Sequence, residues 1–333
     1  QGGEQLSKPR VFSGVQPSGA LHIGNYLGAI RNWVRMQDGN ECFFCVVDAH
    51  AITVPQDPKR LRALTREIAA LYIACGVDPE RTVIFVQSHV PAHFEMTWIF
   101  NCITPLGWLN RMTQFKEKAG EQREQVSAGL YDYPVLMASD ILLYDTDYVP
   151  VGEDQIQHIE LTRDIAQRFN YLFGETFKLP QAIVQRAGAR IMSLDNPEKK
   201  MSKSSESPMG TIDLLDEPDA IRQKIMRAVT DSLREIRFDE SRKGLYNLLT
   251  IYELFSGQSR EEIESHFAGR GYAELKRELA ELVAESLRPI RERYREIMKD
   301  PQYIEDILAR GAEKANPIAQ QTLRRAKERV GLG

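Results

Sequence analysis

Short apolar runs in the first half of the chain alternate with longer stretches whose apolar residues recur at helical spacing, a pattern of strands and helices wound into a parallel sheet. Runs at 10–15, 42–48, 82–87 and 148–151 predict four strands. A helix is expected from Asn25, with Leu27, Ile30 and Val34 on one face. The next opens on a strong signal: Asp57 suits an N-cap, Pro58 the first turn, and Leu61, Leu64, Ile68 and Leu71 form the apolar stripe that Gly76 closes. A helical region follows over 92–146, interrupted by a polar loop at 116–125, and a long helix is expected over 154–173. From Pro218 onward the strand pattern is gone. Helices with charged faces are expected at 220–229, 245–255, 260–267, 272–298 and 303–330, and Pro289 should kink or split the fourth.

The fold class that follows is α/β: a Rossmann-like parallel-sheet nucleotide-binding domain over 9–205, then an all-helical domain over 206–333 whose last helix is expected to pack back on the first domain. Residues 1–8 read as a disordered lead-in without the basic and apolar regions of a signal peptide. A length of 333 residues allows two cores, and 42% hydrophobic with 27% charged residues is a globular balance. No apolar run approaches the ~20 residues of a membrane span. Four cysteines make no disulfide framework, so a reducing, cytoplasmic setting is expected. Cys42 and Cys45 lie three apart in an expected strand, on opposite faces, which favours core packing over metal or redox chemistry. The net charge of -4 neither requires nor excludes RNA. Two basic clusters, Arg288, Arg291, Arg293 and Arg295, then Arg324, Arg325, Lys327 and Arg329, fit an RNA-facing surface or an ordinary solvated helix face.

Two segments carry chemistry. The turn Gln16-Pro17-Ser18-Gly19-Ala20-Leu21-His22-Ile23-Gly24-Asn25 follows the first strand, at the carboxyl end of the sheet where open α/β folds bind ligands. Backbone N–H groups at the helix start favour an anion there. His22 can donate to a phosphate oxygen, Asn25 can bond phosphate or sugar, and Gly24 lets a flat base lie against bare backbone. The second segment, Lys200-Met201-Ser202-Lys203-Ser204, places two lysines among small hydroxyl residues on a loop, suited to charge that builds on a departing pyrophosphate. Between them, Tyr133, Met137, Asp140 and Tyr144 are spaced to share one helix face. An aspartate set among apolar neighbours is costly to bury unless something hydrogen-bonds it. An indole N–H would do so, as would a nearby arginine or His158.

From about Lys8 to Leu332 the chain resembles bacterial tryptophanyl-tRNA synthetases. The resemblance rests on the two segments together with residues 11–19, 50–53, 111–118, 133–144, 149–155 and 188–193. It implies a class I fold, ATP with Mg2+ carried on the phosphates rather than on a protein metal site, L-tryptophan and tRNA(Trp) as substrates, and a homodimer across which the tRNA docks, its anticodon read by the helical domain. By resemblance, ATP falls to Gln16, Pro17, Ser18, Gly24, Asn25, Gly152, Glu153, Asp154, Ile191, Lys200, Met201, Ser202, Lys203 and Ser204. His22, Gly24, Asn25, Lys118, Lys200 and Lys203 would support catalysis at the phosphates. Tryptophan falls to Phe12, Gly14, His50, Tyr133, Met137, Asp140, Val149, Val151 and Gln155, with Asp140 as indole acceptor. Ala49, Trp108 and Ser205 depart from the family pattern, the first two beside the amino-acid end, and predict some tolerance for substituted tryptophans. A tyrosyl-tRNA synthetase, a non-charging tryptophan-binding regulator and a small-molecule adenylyltransferase are the alternatives.

Overall fold

The computed structural model describes residues 7–112, 126–184, 191–202 and 207–333. Five parallel strands form one sheet in the order β3-β2-β1-β4-β5: β1 Arg10–Val15, β2 Glu41–Val46, β3 Thr82–Val86, β4 Tyr148–Val151 and β5 Gln181–Val184. The first four match the expected apolar runs. β5 does not: it is four residues long, begins at an exposed glutamine and lies half-buried at the sheet edge, so it lacks the apolar run of a central parallel strand.

The helix after β1, here α1, is wound in three stretches: Ile23–Asn25, a π turn Tyr26–Ile30, and Arg31–Met36. Next come α2 Asp48–Ala51 and α3 Pro58–Ala74, the latter capped by Asp57, whose carboxylate accepts from Lys59 N at 3.2 Å. The region expected as helical over 92–146 contains α4 Ala92–Asn101, α5 Leu106–Asn110 and α6 Ala128–Leu142, and the polar loop at 116–125 lies outside the described residues. A 3-10 turn, Glu153–Gln155, opens the long helix α7 Ile156–Phe173. The rest is helical: α8 Pro218–Met226, α9 Lys243–Ser256, α10 Arg260–Phe267, α11 Tyr272–Met298 and α12 Pro301–Val330. Pro289 does not split α11; it sits on the exposed face, where water can satisfy the carbonyl its ring frees.

Each face of the sheet carries its own core. One joins Val15, Leu27, Phe44 and Ile68 to Ile221, Ile251, Leu279 and Leu308, so the helical part shares its apolar interior with the sheet. The other joins Phe12, Phe43, Cys45, Val135 and Tyr144 to Ala315, Ala319 and Leu323 of α12. Both strand cysteines are free and buried; Cys45 packs in this second core, while Cys42 reaches Met36 O on the α1 side at 3.6 Å. The last helix thus covers edge strand β3. Gly311 permits the approach, since a Cβ there would stand 1.7 Å from Ile84 O.

Candidate active site

From β1 the strand order runs outward to β2 and β3 on one side and to β4 and β5 on the other. A crevice at such a reversal, beyond the carboxyl ends of the strands, is where open α/β sheets take ligands. The turn from Gln16 to Asn25 leaves β1 on one wall, and Gly152–Gln155 leaves β4 on the other. In the first wall His22 and Asn25 form a reciprocal cap: His22 N donates to Asn25 Oδ1 at 3.0 Å and Asn25 N donates to His22 Nδ1 at 3.3 Å. His22 is buried, and a Cβ at Gly24 would lie 2.8 Å from its ring. Gln16 is exposed, Pro17 buried and Ser18 half-buried, while Gly152, Glu153 and Asp154 are exposed on the opposite wall.

The Lys200 segment lies beside the His22 turn, as the two motifs together require. Ile23 N donates to Ile212 O at 3.0 Å and Leu214 N to Leu21 O at 2.9 Å, so the stretch after the lysine segment is stitched to the turn. Ile191 lies against Gly24, and Met201 N donates to Ile191 O at 3.0 Å. Met201 is buried while Lys200 is exposed: burying a methionine is worth roughly 1.5–3 kcal/mol, enough to fix the segment and leave the lysine in solvent. Ser202 is half-buried, its carbonyl accepting from Thr211 Oγ1 at 3.0 Å. Lys118, Lys203 and Ser204 lie outside the described residues. One partner here comes from the helical part. Asn247 of α9 accepts from Met192 N at 2.8 Å and donates to Met192 O at 2.9 Å, clamping the strip beside Lys200 from both sides. Asn247 is not among the site residues that the sequence points to.

Deeper in the crevice, Asp140 is 1% exposed on α6. Its Oδ2 bonds His50 Nε2 at 2.7 Å; its Oδ1 bonds His93 Nδ1 at 2.5 Å and accepts from Gln87 Nε2 at 2.8 Å. Burial pushes the carboxyl up, but the two histidines outweigh it and hold Asp140 below its usual range. Its partners are therefore neither an arginine nor His158, which instead meets the Tyr133 hydroxyl at 3.1 Å. Phe12, His50, Val149 and Val151 are buried around this level, Tyr133, Met137 and Gln155 are half-buried, and Gly14 is exposed. Burial first, then Asp154, pushes the Tyr133 phenol up to about 12, so it stays a neutral donor. Sequence reasoning missed Gln87 and His93, both 0% exposed. A buried glutamine just past a strand or a buried histidine in a helix's first turn announces nothing until its partner's position is known.

Several residues of the basic clusters have partners within the chain. Arg291 donates to Asp216 O at 3.1 Å, Arg288 pairs with Glu285 at 2.8 Å and Arg295 with Glu217. Arg325 pairs with Asp145 at 3.0 Å, Lys327 with Glu95 at 3.6 Å, and Arg329 donates to Phe173 O at 3.3 Å, fastening α12 to the sheet domain.

A parallel sheet with a ligand crevice at its order reversal, one motif on the first wall and a lysine segment docked beside it, defines a nucleotide-binding enzyme of the class I synthetase type. The chain belongs to the tRNA synthetases class I (W and Y), whose family profile matches residues 4–288. It is 58% identical to the tryptophan–tRNA ligase of Caldanaerobacter subterraneus subsp. tengcongensis, over 97% of this chain and 98% of that one. It is also similar to the crystal structure of tryptophanyl-tRNA synthetase from Mycoplasma pneumoniae, with a TM-score of 0.87 and 36% identity over 98% of each chain. The Campylobacter jejuni tryptophanyl-tRNA synthetase, solved with ADP and tryptophan, matches with a TM-score of 0.84 and 40% identity over 97% of this chain and 100% of that one.

Proposed function

We propose that the chain is a tryptophan–tRNA ligase, which activates L-tryptophan with ATP to tryptophanyl-adenylate and pyrophosphate and then transfers tryptophan to tRNA(Trp). The near-full-length identity to tryptophan–tRNA ligases supports the activity. The observation that carries the substrate choice is the buried, ionised Asp140, bonded on both oxygens at the floor of an apolar crevice. A carboxylate has about four acceptor positions. Among the described residues three are used, which leaves one for an indole N–H.

In this reading the indole lies against Phe12, Met137, Val149 and Val151, near His50 and Gly14, while Tyr133 and Gln155 hold the ammonium and carboxylate end. ATP lies along the opposite level, its base against Gly24 and Ile191, its ribose toward Gly152, Glu153 and Asp154, its phosphates toward Gln16, Ser18, His22, Asn25, Lys200 and Ser202. The tryptophan carboxylate attacks the α-phosphorus in line, the bond to the bridging oxygen breaks, and pyrophosphate leaves with that electron pair. Neither step needs a protein acid or base; positioning and positive charge supply the acceleration. Lys118, Lys203 and Ser204 are assigned to the phosphates by resemblance. Magnesium, brought in with ATP, would neutralise phosphate charge, without a protein metal site of its own.

The helical part over 206–333 is assigned to the anticodon, and the working unit is a homodimer. Trp98, Leu106 and Ile52 are 68%, 69% and 63% exposed, too much apolar surface around the start of α6 to leave in water. Tyr131 of α6 donates to Leu106 O at 3.1 Å and Ser127 to Thr53 O at 2.8 Å, which ties the Leu106 and Ile52 segments to the start of α6. No described helix is long and apolar enough to cross a membrane, and the cytoplasm is the assigned setting. Aminoacylation of bacterial tRNA with labelled tryptophan tests the reading. Acid-precipitable charging that tyrosine does not give is expected; exchange-competent protein that charges no tRNA would make it a regulator instead.

A further inference from the structure

We infer that Gln87 and His93 are positioning residues that set the selectivity of the slot, by holding Asp140 as an acceptor-only group with one acceptor position not taken by its partners among the described residues. The inference rests on the reading of Asp140 as the indole acceptor. Three links make the arrangement one-way. Ala49 N donates to Gln87 Oε1 at 3.0 Å, which fixes the amide so that its N–H group, not its carbonyl, faces Asp140. The short helix and the turn bearing these two groups are also tied by Ser88 N, which donates to Asp48 Oδ1 at 3.0 Å. On the other side His93 Nε2 meets the Tyr144 hydroxyl at 2.7 Å. Tyr144 is fully buried among Phe12, Phe43 and Phe85, with ring centroids at 5.8, 5.1 and 5.5 Å. Its phenol, which burial pushes far above the ordinary range, keeps its proton and can donate it to Nε2. The His93 N–H is therefore on Nδ1, aimed at Asp140.

The consequence is discrimination by the hydrogen rather than by shape. A ring that carries N–H fills the last acceptor position. An isostere with sulfur or oxygen in place of N–H brings a lone pair to a desolvated anion, and sites of this kind reject the analogue that lacks the donor far more strongly than one differing in size. Ala49, where the family pattern has a larger polar side chain, needs only its backbone N–H for this.

The test is ATP–pyrophosphate exchange with tryptophan and with 3-benzothienyl-alanine, read as the ratio of the two kcat/KM values. Gln87→Met and His93→Ala should each lower that ratio at least about tenfold, while His93→Asn, which keeps an N–H near the Nδ1 position, should retain most of it. A loss of stability alone lowers both kcat/KM values together and leaves the ratio where it was. An unchanged ratio in Gln87→Met and His93→Ala alike, with the ratio collapsed in Asp140→Asn, would overturn the positioning role and leave the slot intact. An unchanged ratio in Asp140→Asn would instead remove the slot reading itself.

Discussion

At the scale of single residues, the site depends on close contacts both within a turn and between distant parts of the chain. Gly24 is the simplest case, because a Cβ there would stand 2.8 Å from the His22 ring. Gly24→Ala should displace His22 from its cap and lower kcat/KM for ATP about tenfold or more with the thermal midpoint nearly unchanged, as single-turnover exchange would reveal. Asp231 gives a pH prediction. The Arg242 guanidinium beside it, then the Tyr272 hydroxyl, hold its carboxyl at about 2 against an ordinary 3.8. A carboxylate whose folded value is depressed contributes stability above its unfolded value and loses it as pH falls through the folded one. The contribution should therefore be complete above pH ~4 and gone near pH 2. Solvent access keeps it to about 1 kcal/mol. In Arg242→Met the urea midpoint should drop at neutral pH and lose its dependence on this window; an unaltered slope between pH 4 and 2 would contradict the assignment. Asp140 was legible as a costly charge in an apolar helix face, and the two lysine-segment and histidine-turn motifs were legible as a pair. Gln87, His93 and Asn247 were not, since a polar side chain at a strand end or on a helix shows its purpose only through the group it touches.

At the scale of elements, apolar periodicity located what is buried and missed what is marginal. β1 to β4 stand where continuous apolar runs placed them, and α10 and α11 begin and end where their patterns do. β5 escaped because a four-residue edge strand buries too little to show a period. The π turn in α1 escaped because one added residue does not change which side chains are apolar. Arg288, Arg291, Arg325 and Arg329 of the basic clusters pair with carboxylates or backbone carbonyls of the same chain, several of them at the exposed surface. Two elements meet at Asn247. Asn247→Leu would strand both backbone groups of Met192, an expected cost of about 1–3 kcal/mol, and should lower kcat for exchange more than it raises the tryptophan KM. Equal kcat with a raised KM would place Asn247 outside the lysine segment's control. Gly311→Val should be severe, because its Cβ would overlap Ile84 O in the backbone of β3; a loss of about 3 kcal/mol or more in urea unfolding is expected.

At the scale of the molecule, the sheet and the helical part share one apolar interior, and Asn247 of α9 bonds Met192 beside the Lys200 segment. The exposed patch of Trp98, Leu106 and Ile52 is the expected seam between two copies. Trp98→Glu combined with Leu106→Glu should shift light-scattering mass from dimer to monomer and abolish charging; a monomeric wild type would refute the seam. The central claim, that this crevice activates tryptophan, is tested most directly by ATP–pyrophosphate exchange with tryptophan, with tyrosine and with no amino acid. Exchange that requires tryptophan and is at least about a hundredfold slower with tyrosine is predicted. Exchange that proceeds without an amino acid, or prefers tyrosine, would contradict the account.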